Sequence, residues 1–204
     1  MTDPAAGSPL LGPLADTVVR RRDWGAPARS DWPPEVAPVR ALVIHHTGTR
    51  NDDPDPLAMV ARVRGYHADE RGWGDIGYSF LVLEDGRIVE GREGSADATA
   101  PCGVVAGHAY GHNVGTLGIA VAGRFHDAEP TDAAWTSLIA LGAAIATACD
   151  LDAEGGPVVL DNGARLDHVI GGHRDAGLTT CPGEGLAARL PDLRRSIARA
   201  CATR

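Results

Sequence analysis

The chain has no apolar run of transmembrane length, no paired Cys-x-x-Cys, no internal repeat and no low-complexity tract. Without about 20 consecutive apolar residues, membrane insertion is not expected. Without Cys-x-x-Cys pairs, a closed structural metal site of the usual spacing is not expected either. Basic residues are also short: Lys and Arg total 19 against 27 Asp and Glu, a net charge of −8. That balance argues against nucleic acid or an anionic membrane as partner, so recognition should lie in a groove rather than in bulk charge. The opening Met1-Thr2-Asp3-Pro4-Ala5-Ala6-Gly7 has no basic residue and no long apolar core, so it does not read as a signal peptide.

What is present fits one globular domain: 204 residues, 44% hydrophobic and 23% charged. Residues 1–19 are rich in Pro, Gly, Ala and Leu without a period. They read as a loosely ordered arm, pinned where Leu10, Leu11 and Leu14 find apolar surface. The four prolines between 23 and 39 predict an irregular lead-in. Residues 40–46 form a nearly unbroken apolar run, as in a strand buried on both faces. Asp55-Pro56 opens a helix. The Asp85-Gly86 pair predicts a hairpin between 78–84 and 87–90. Residues 116–122 and 167–170 read as strands. Thr131 or Asp132 caps a helix reaching Cys149, and 184–200 form the last helix, with a kink at Pro191. Strands interleaved with about three helices predict an α/β fold with a single mixed central sheet.

The chemistry concentrates in His45, His173 and Cys181. His45 ends the run Ala41-Leu42-Val43-Ile44-His45-His46-Thr47, and the other two share the segment 172–183. Two imidazoles and a thiolate suit Zn2+, one per chain, with a fourth position open for water, which points to metal-assisted hydrolysis. His45 and His46 point to opposite faces of a strand, and the residues alone do not choose between them. His173 and Cys181 are separated by no helical spacing, so an ordered loop must bring them together. Of the remaining cysteines, Cys102, Cys149 and Cys201 read as free buried thiols, with a Cys149–Cys201 pairing as the alternative.

Five ordered stretches resemble one family. They are Arg22-Asp23-Trp24-Gly25-Ala26, Val43-Ile44-His45-His46-Thr47, Trp73 through Phe80, Asp85-Gly86 with Glu90-Gly91-Arg92, and Gly172-His173-Arg174 with Thr179-Thr180-Cys181-Pro182-Gly183. Together they resemble peptidoglycan recognition proteins and the zinc-dependent type-2 N-acetylmuramoyl-L-alanine amidases. The resemblance covers about Arg20 to the C-terminus and implies a zinc amidase domain over 20–204. It selects His45 over His46 as the ligand. It gives Tyr78 and Thr179 the role of stabilising the oxyanion. It implies a groove containing His67, Trp73, Arg92, His108 and Asn113, with Arg92 meeting a stem-peptide carboxylate. The order Val105-Ala106-Gly107-His108 stands where the family has Gly-Ala-His, and the loop 93–106 departs from its pattern. The implied partner is peptidoglycan or its muropeptides, handled by a monomer. The implied place of action is the cell wall, reached by secretion or phage release, with cytoplasmic recycling as the alternative. Remodelling, recycling, endolysin-like lysis and attack on competitors all use such a domain. A recognition module that binds without cutting is the competing expectation.

Overall fold

The structure is a computed structural model that describes residues 7–203. Its centre is strand β2 (Ala41–His46), every residue of which is buried. It pairs in parallel with β6 (Thr116–Val121) on one side and β9 (Ile170–Gly172) on the other. Beyond β6 lie β3 (Phe80–Val82), also parallel, and β4 (Ile88–Glu90), antiparallel to β3. The sheet order is therefore β4-β3-β6-β2-β9, a mixed sheet with one antiparallel edge. Parallel strands buried on both faces carry continuous apolar runs rather than alternation, which is how 41–46 and 116–121 read.

The two faces of β2 are covered differently. Leu42 and Ile44 join the main core against helix α2 (Asp132–Ala148) and helix α4 (Glu184–Ala202). Ala41 and Val43 face the other way, toward Ala109, Leu166 and Ala176. On that second face, helix α1 (Pro56–Gly65) lays Met59, Val60 and Val63 against Leu81 and Ala120. The expected caps are in place: Asp55 accepts from Ala58 N at 3.1 Å and Thr131 from Ala134 N at 3.1 Å. Helix α4 runs through Pro191. A short helix, α3 (His173–Ala176), follows β9 directly. Two small antiparallel pairs lie outside the main sheet: β1 (Val36–Pro38) with β5 (Cys102–Val104), and β7 (Val158–Val159) with β8 (Arg165–Leu166). The expected strand at 167–170 falls later, at β9, and all four cysteines are free thiols.

The N-terminal segment differs from a loose arm over 7–19; residues 1–6 lie outside the described residues. Leu10 and Leu11 are each 1% exposed and belong to the main core. Backbone bonds Leu10 N to Ala98 O (2.9 Å) and Ala100 N to Ser8 O (2.8 Å) tie it to the loop before β5. A 3-10 helix over Gly12–Thr17 then leads to a parallel bridge between Val19 and Val89. Burial of the two leucines and the backbone bonds to the loop before β5 each offset part of the entropy of ordering the segment. Leu11→Ala should therefore destabilise the domain by about 2–5 kcal/mol in urea unfolding. An undocked arm would give a change within about 0.5 kcal/mol.

Candidate metal centre

The pleat of β2 puts His45 on the face of Ala41 and Val43, and His46 on the opposite face. The chain leaving β9, the strand paired beside β2, starts at His173 and returns through a loop to Cys181. The result is a cluster in which ligand atoms of His45, His173 and Cys181 lie within 4.8 Å of one another. His45 Nδ1 stands 3.8 Å from Cys181 Sγ, and the His45 and His173 rings are 4.5 Å apart. A tetrahedral zinc ion with Zn–N near 2.0–2.1 Å and Zn–S near 2.3 Å holds N and S ligands about 3.6 Å apart. The donor set and its spacing thus fit zinc.

A chain of hydrogen bonds presents the right nitrogen of His45. Thr116 Oγ1 donates to the His112 carbonyl, so it accepts from His108 Nε2 at 3.1 Å. Burial drives the His108 pKa down to about 3, which keeps the ring neutral and leaves Nδ1 bare. That nitrogen accepts from His45 Nε2 at 3.1 Å. His45 Nδ1 is then the unprotonated atom, and it is the one that faces Cys181. Gly118 makes room for this arrangement, because a Cβ there would fall 2.4 Å from His108 Cγ. His108 therefore lines the cleft, but its ring nitrogens are committed to orienting a ligand.

Burial also lowers the pKa of His45 well below its usual value, and neighbouring histidines add to the effect. His173 is lowered for the same first reason. Neutral imidazole is the form that binds metal. Burial pushes the Cys181 thiol up to about 11, against the His46 N–H that Sγ accepts at 3.4 Å. A divalent cation held by this cluster would favour the thiolate of Cys181 over the thiol. His46 packs beside Phe125 and His126 on the far face and accepts from Phe125 N through Nδ1.

Tyr78 stands next to the cluster, its ring 5.2 Å from that of His45. Burial, and then the nearby Cys181, raise its pKa, so the phenol stays protonated and able to donate. Thr179 lies in the loop; its hydroxyl oxygen accepts from Cys181 N at 3.2 Å, leaving its hydrogen free. His67 accepts from Gly77 N through Nδ1 and stacks on Trp73, ring centroids 4.8 Å apart. Trp73 and Asn113 line a cleft of about 670 Å³ that also exposes His108 and His173. Asn113 closes its own loop by accepting from Ala109 N at 2.8 Å.

Arg92 lies behind the cleft rather than in it. It does not reach the groove: the side chain is 0% exposed, and its guanidinium pairs with Asp75 at 3.0 Å. Arg21 holds the other oxygen of Asp75 at 3.0 Å. A buried guanidinium needs a carboxylate and carbonyl acceptors, and Asp75, Val105 O and Pro33 O supply them behind the cleft wall. The sequence reading missed Asp31, Trp32 and Gly107, which line the cleft, and Asp75, Thr116 and Gly118, which support it. Trp32 lies in a proline-rich segment with no period or motif to single it out. The adjacent acidic and aromatic residues Asp31-Trp32 are its only signal in the sequence.

Three outcomes follow. His108→Ala should weaken zinc binding about 10–100-fold in chelator competition, while His46→Ala should keep one zinc per chain. Arg92→Ala should cost about 1–3 kcal/mol of stability, since it leaves the Val105 and Pro33 carbonyls without their donor while Asp75 keeps Arg21. Metal-free protein should lose stability as pH falls below about 6.5. There the unfolded histidines take up protons, while buried His46 and His67, lowered to about 4, and His108, lowered to about 3, do not until lower pH. A flat melting temperature between pH 7 and pH 4 would contradict that protonation scheme.

Comparison with known proteins identifies the family. Residues 35–184 match the family model described as N-acetylmuramoyl-L-alanine amidase. The human protein named N-acetylmuramoyl-L-alanine amidase is 31% identical over 91% of this chain, which spans only 28% of that protein's length. Mouse peptidoglycan recognition protein 1 is 34% identical, with 78% of this chain and 81% of that one covered. Among solved structures, peptidoglycan recognition protein LE, in complex with tracheal cytotoxin (monomeric diaminopimelic acid-type peptidoglycan), superposes with a TM-score of 0.67 at 27% identity, covering 87% of this chain and 94% of that one. The amidase LysC from Clostridium intestinale shares the fold, with a TM-score of 0.62 at 24% identity over 88% of this chain and 96% of that one. The chain belongs to the family of N-acetylmuramoyl-L-alanine amidases and peptidoglycan recognition proteins.

Proposed function

We propose that the protein is a zinc-dependent amidase that hydrolyses the amide between the lactyl group of N-acetylmuramic acid and L-alanine of peptidoglycan. The observation that carries this reading is the His45–His173–Cys181 cluster at the edge of an open cleft, with a protonated Tyr78 beside it. Those three residues would hold the ion. When bound, zinc supplies Lewis acidity and brings the pKa of a water toward about 7.

The chain's own residues supply the rest. Tyr78 donates its phenolic hydrogen to the lactyl carbonyl oxygen as that oxygen gains charge. Thr179, with its oxygen already engaged by the Cys181 N–H, turns its hydrogen toward the same region and adds one neutral donor. His67, lowered to about 4 by burial, carries its proton on Nε2 and packs edge-on to Tyr78, holding that ring in place. The cleft leading away from His173 receives the substrate and fixes its amide over the cluster. Among the described residues, neither Lys nor Arg lines that cleft, and no helix is long and apolar enough to cross a membrane.

Relatives named as recognition proteins make binding without cleavage the competing reading. Muropeptides incubated with the protein, with and without a chelator, separate the two when new L-alanine amino termini are followed by mass spectrometry. Cleavage that chelation abolishes and zinc restores is expected; binding with no new termini would leave a recognition module. Cys181→Ser should lose most of the metal, and full zinc content with an unchanged rate would remove Cys181 from the ligand set. Tyr78→Phe should keep zinc and lose about 10²–10³ in kcat; a loss below about threefold would make it a packing residue only.

A further inference from the structure

The helices that follow β2 and β6 leave toward opposite faces of the sheet. Strand β2 leads to α1, which packs against Leu81 and Ala120 on the face that carries His45. Its parallel neighbour β6 leads to α2, in the main core on the other face. Where adjacent parallel strands send their chains to opposite faces, the loops at their C-terminal ends part and leave a crevice, a usual place for a ligand in an α/β sheet. Here the crevice is a cavity of about 470 Å³ between residues 48–51 and 124–128. It shares no lining residue with the cleft beside His173.

Cross-bonds lock the two loops together. Thr47 Oγ1 accepts from Gly123 N at 2.9 Å, and Gly48 N donates to Gly123 O at 2.9 Å. Asn51 Oδ1 accepts from Arg124 N at 2.7 Å, and Asn51 Nδ2 donates to Arg124 O at 3.2 Å. Gly123, at φ +120°, permits this approach, since a Cβ there would fall 2.5 Å from Asn51 Oδ1. The Arg124 backbone is fixed by the opposite loop while its side chain is left to the crevice. His46, the histidine that the metal cluster does not use, packs edge-on against His126 in the lining, ring centroids 5.4 Å apart.

Charge sets the crevice apart. The chain carries −8 overall, yet Arg50 and Arg124 enter here, one from each loop, and Asp127 is the one acid in the lining. Neither arginine side chain is ion-paired among the described residues. Asp53, near Arg50 in sequence, is committed to Arg62 at 2.6 Å.

We propose that this crevice is a second binding site, for a phosphoryl group, with Arg50 and Arg124 as its cations. Two guanidiniums brought from separate loops bond different pairs of oxygens, which a tetrahedral phosphate offers and a planar carboxylate does not. The volume leaves space for the sugar or polyol that carries the phosphate. The site stands whether or not the chain is an amidase. Its phosphate comes either from a soluble sugar phosphate or from a phosphodiester polymer of the wall, and the test separates the two.

Zinc-loaded protein is titrated by calorimetry with inorganic phosphate, glucose 6-phosphate and acetate. Both phosphates should bind saturably at one site, acetate far more weakly, and added salt should weaken binding. Arg50→Gln and Arg124→Gln should each weaken phosphate about fivefold, as expected of one exposed charge pair. The double variant should lose the saturable signal at an unchanged melting temperature, since neither side chain is paired within the fold. Zinc itself attracts phosphate, so the titration is repeated after chelation, where the crevice should still bind. Binding that vanishes on chelation overturns the proposal. So does a folded double variant with the original affinity, or no saturable binding at all. Cell walls are then sedimented with the protein, with their phosphodiester polymers intact or removed by acid. Intact walls that retain the wild type better than the double variant, with no difference on stripped walls, identify the polymer as the source. Equal retention of both proteins on both walls, beside arginine-dependent phosphate binding, identifies a soluble ester.

Discussion

Strand β2 is hydrogen-bonded to β6 on one side and β9 on the other, and the positions of His45 and His173, two of the three residues that could hold a metal, follow from that double pairing. A strand so placed cannot slip by one residue, because a slip would turn Leu42 and Ile44 out of the main core. The same pleat that buries those two side chains aims His45 at the cluster and His46 away from it. Because β9 pairs with Leu42 to Ile44, the residue that follows it, His173, emerges beside His45 without any further device. Only Cys181 depends on a loop, and that loop is held by the Thr179 hydroxyl and the His46 N–H.

Polar groups around the cluster are arranged to keep imidazoles neutral. His45, His46, His67, His108 and His173 all have lowered pKa values, with burial the leading cause in each. Neutral rings are the ones that accept hydrogen bonds and bind metal, so the burial that costs stability in acid also prepares the site. The relay from Thr116 through His108 to His45 converts a general preference into a particular tautomer. It also explains a glycine within the apolar strand β6: Gly118 is where the ring of His108 sits.

The cleft wall carries the other large electrostatic element. Arg21, Asp75 and Arg92 form a buried group in which one carboxylate faces two guanidiniums. The group ties the 3-10 turn at Arg21–Trp24, the segment before Phe80 and the segment after β4 into one block. Trp32 rests on that block, as does the Ser30–Pro33 backbone, so a stretch rich in proline and lacking regular structure becomes a fixed wall.

Much of the fold was legible because it follows local rules. The apolar runs at 41–46 and 116–121, the caps at Asp55 and Thr131 and the Asp85-Gly86 turn each state their structure through neighbours in sequence. The ligand trio was legible as a set of residue types in ordered motifs. The choice between His45 and His46 came from family resemblance, since alternation says only that they differ. Tertiary structure decided what depends on distant partners. Leu10 and Leu11 became core because the sheet offered them a surface. Arg92, a plausible groove residue by position, was buried because Asp75 stood 17 places away in sequence and 3.0 Å away in space. Trp32 entered the cleft for the same reason. Local sequence records what a segment prefers, whereas the pairing of buried charges and the side of a wall on which a ring falls are set only when segments far apart in the chain meet.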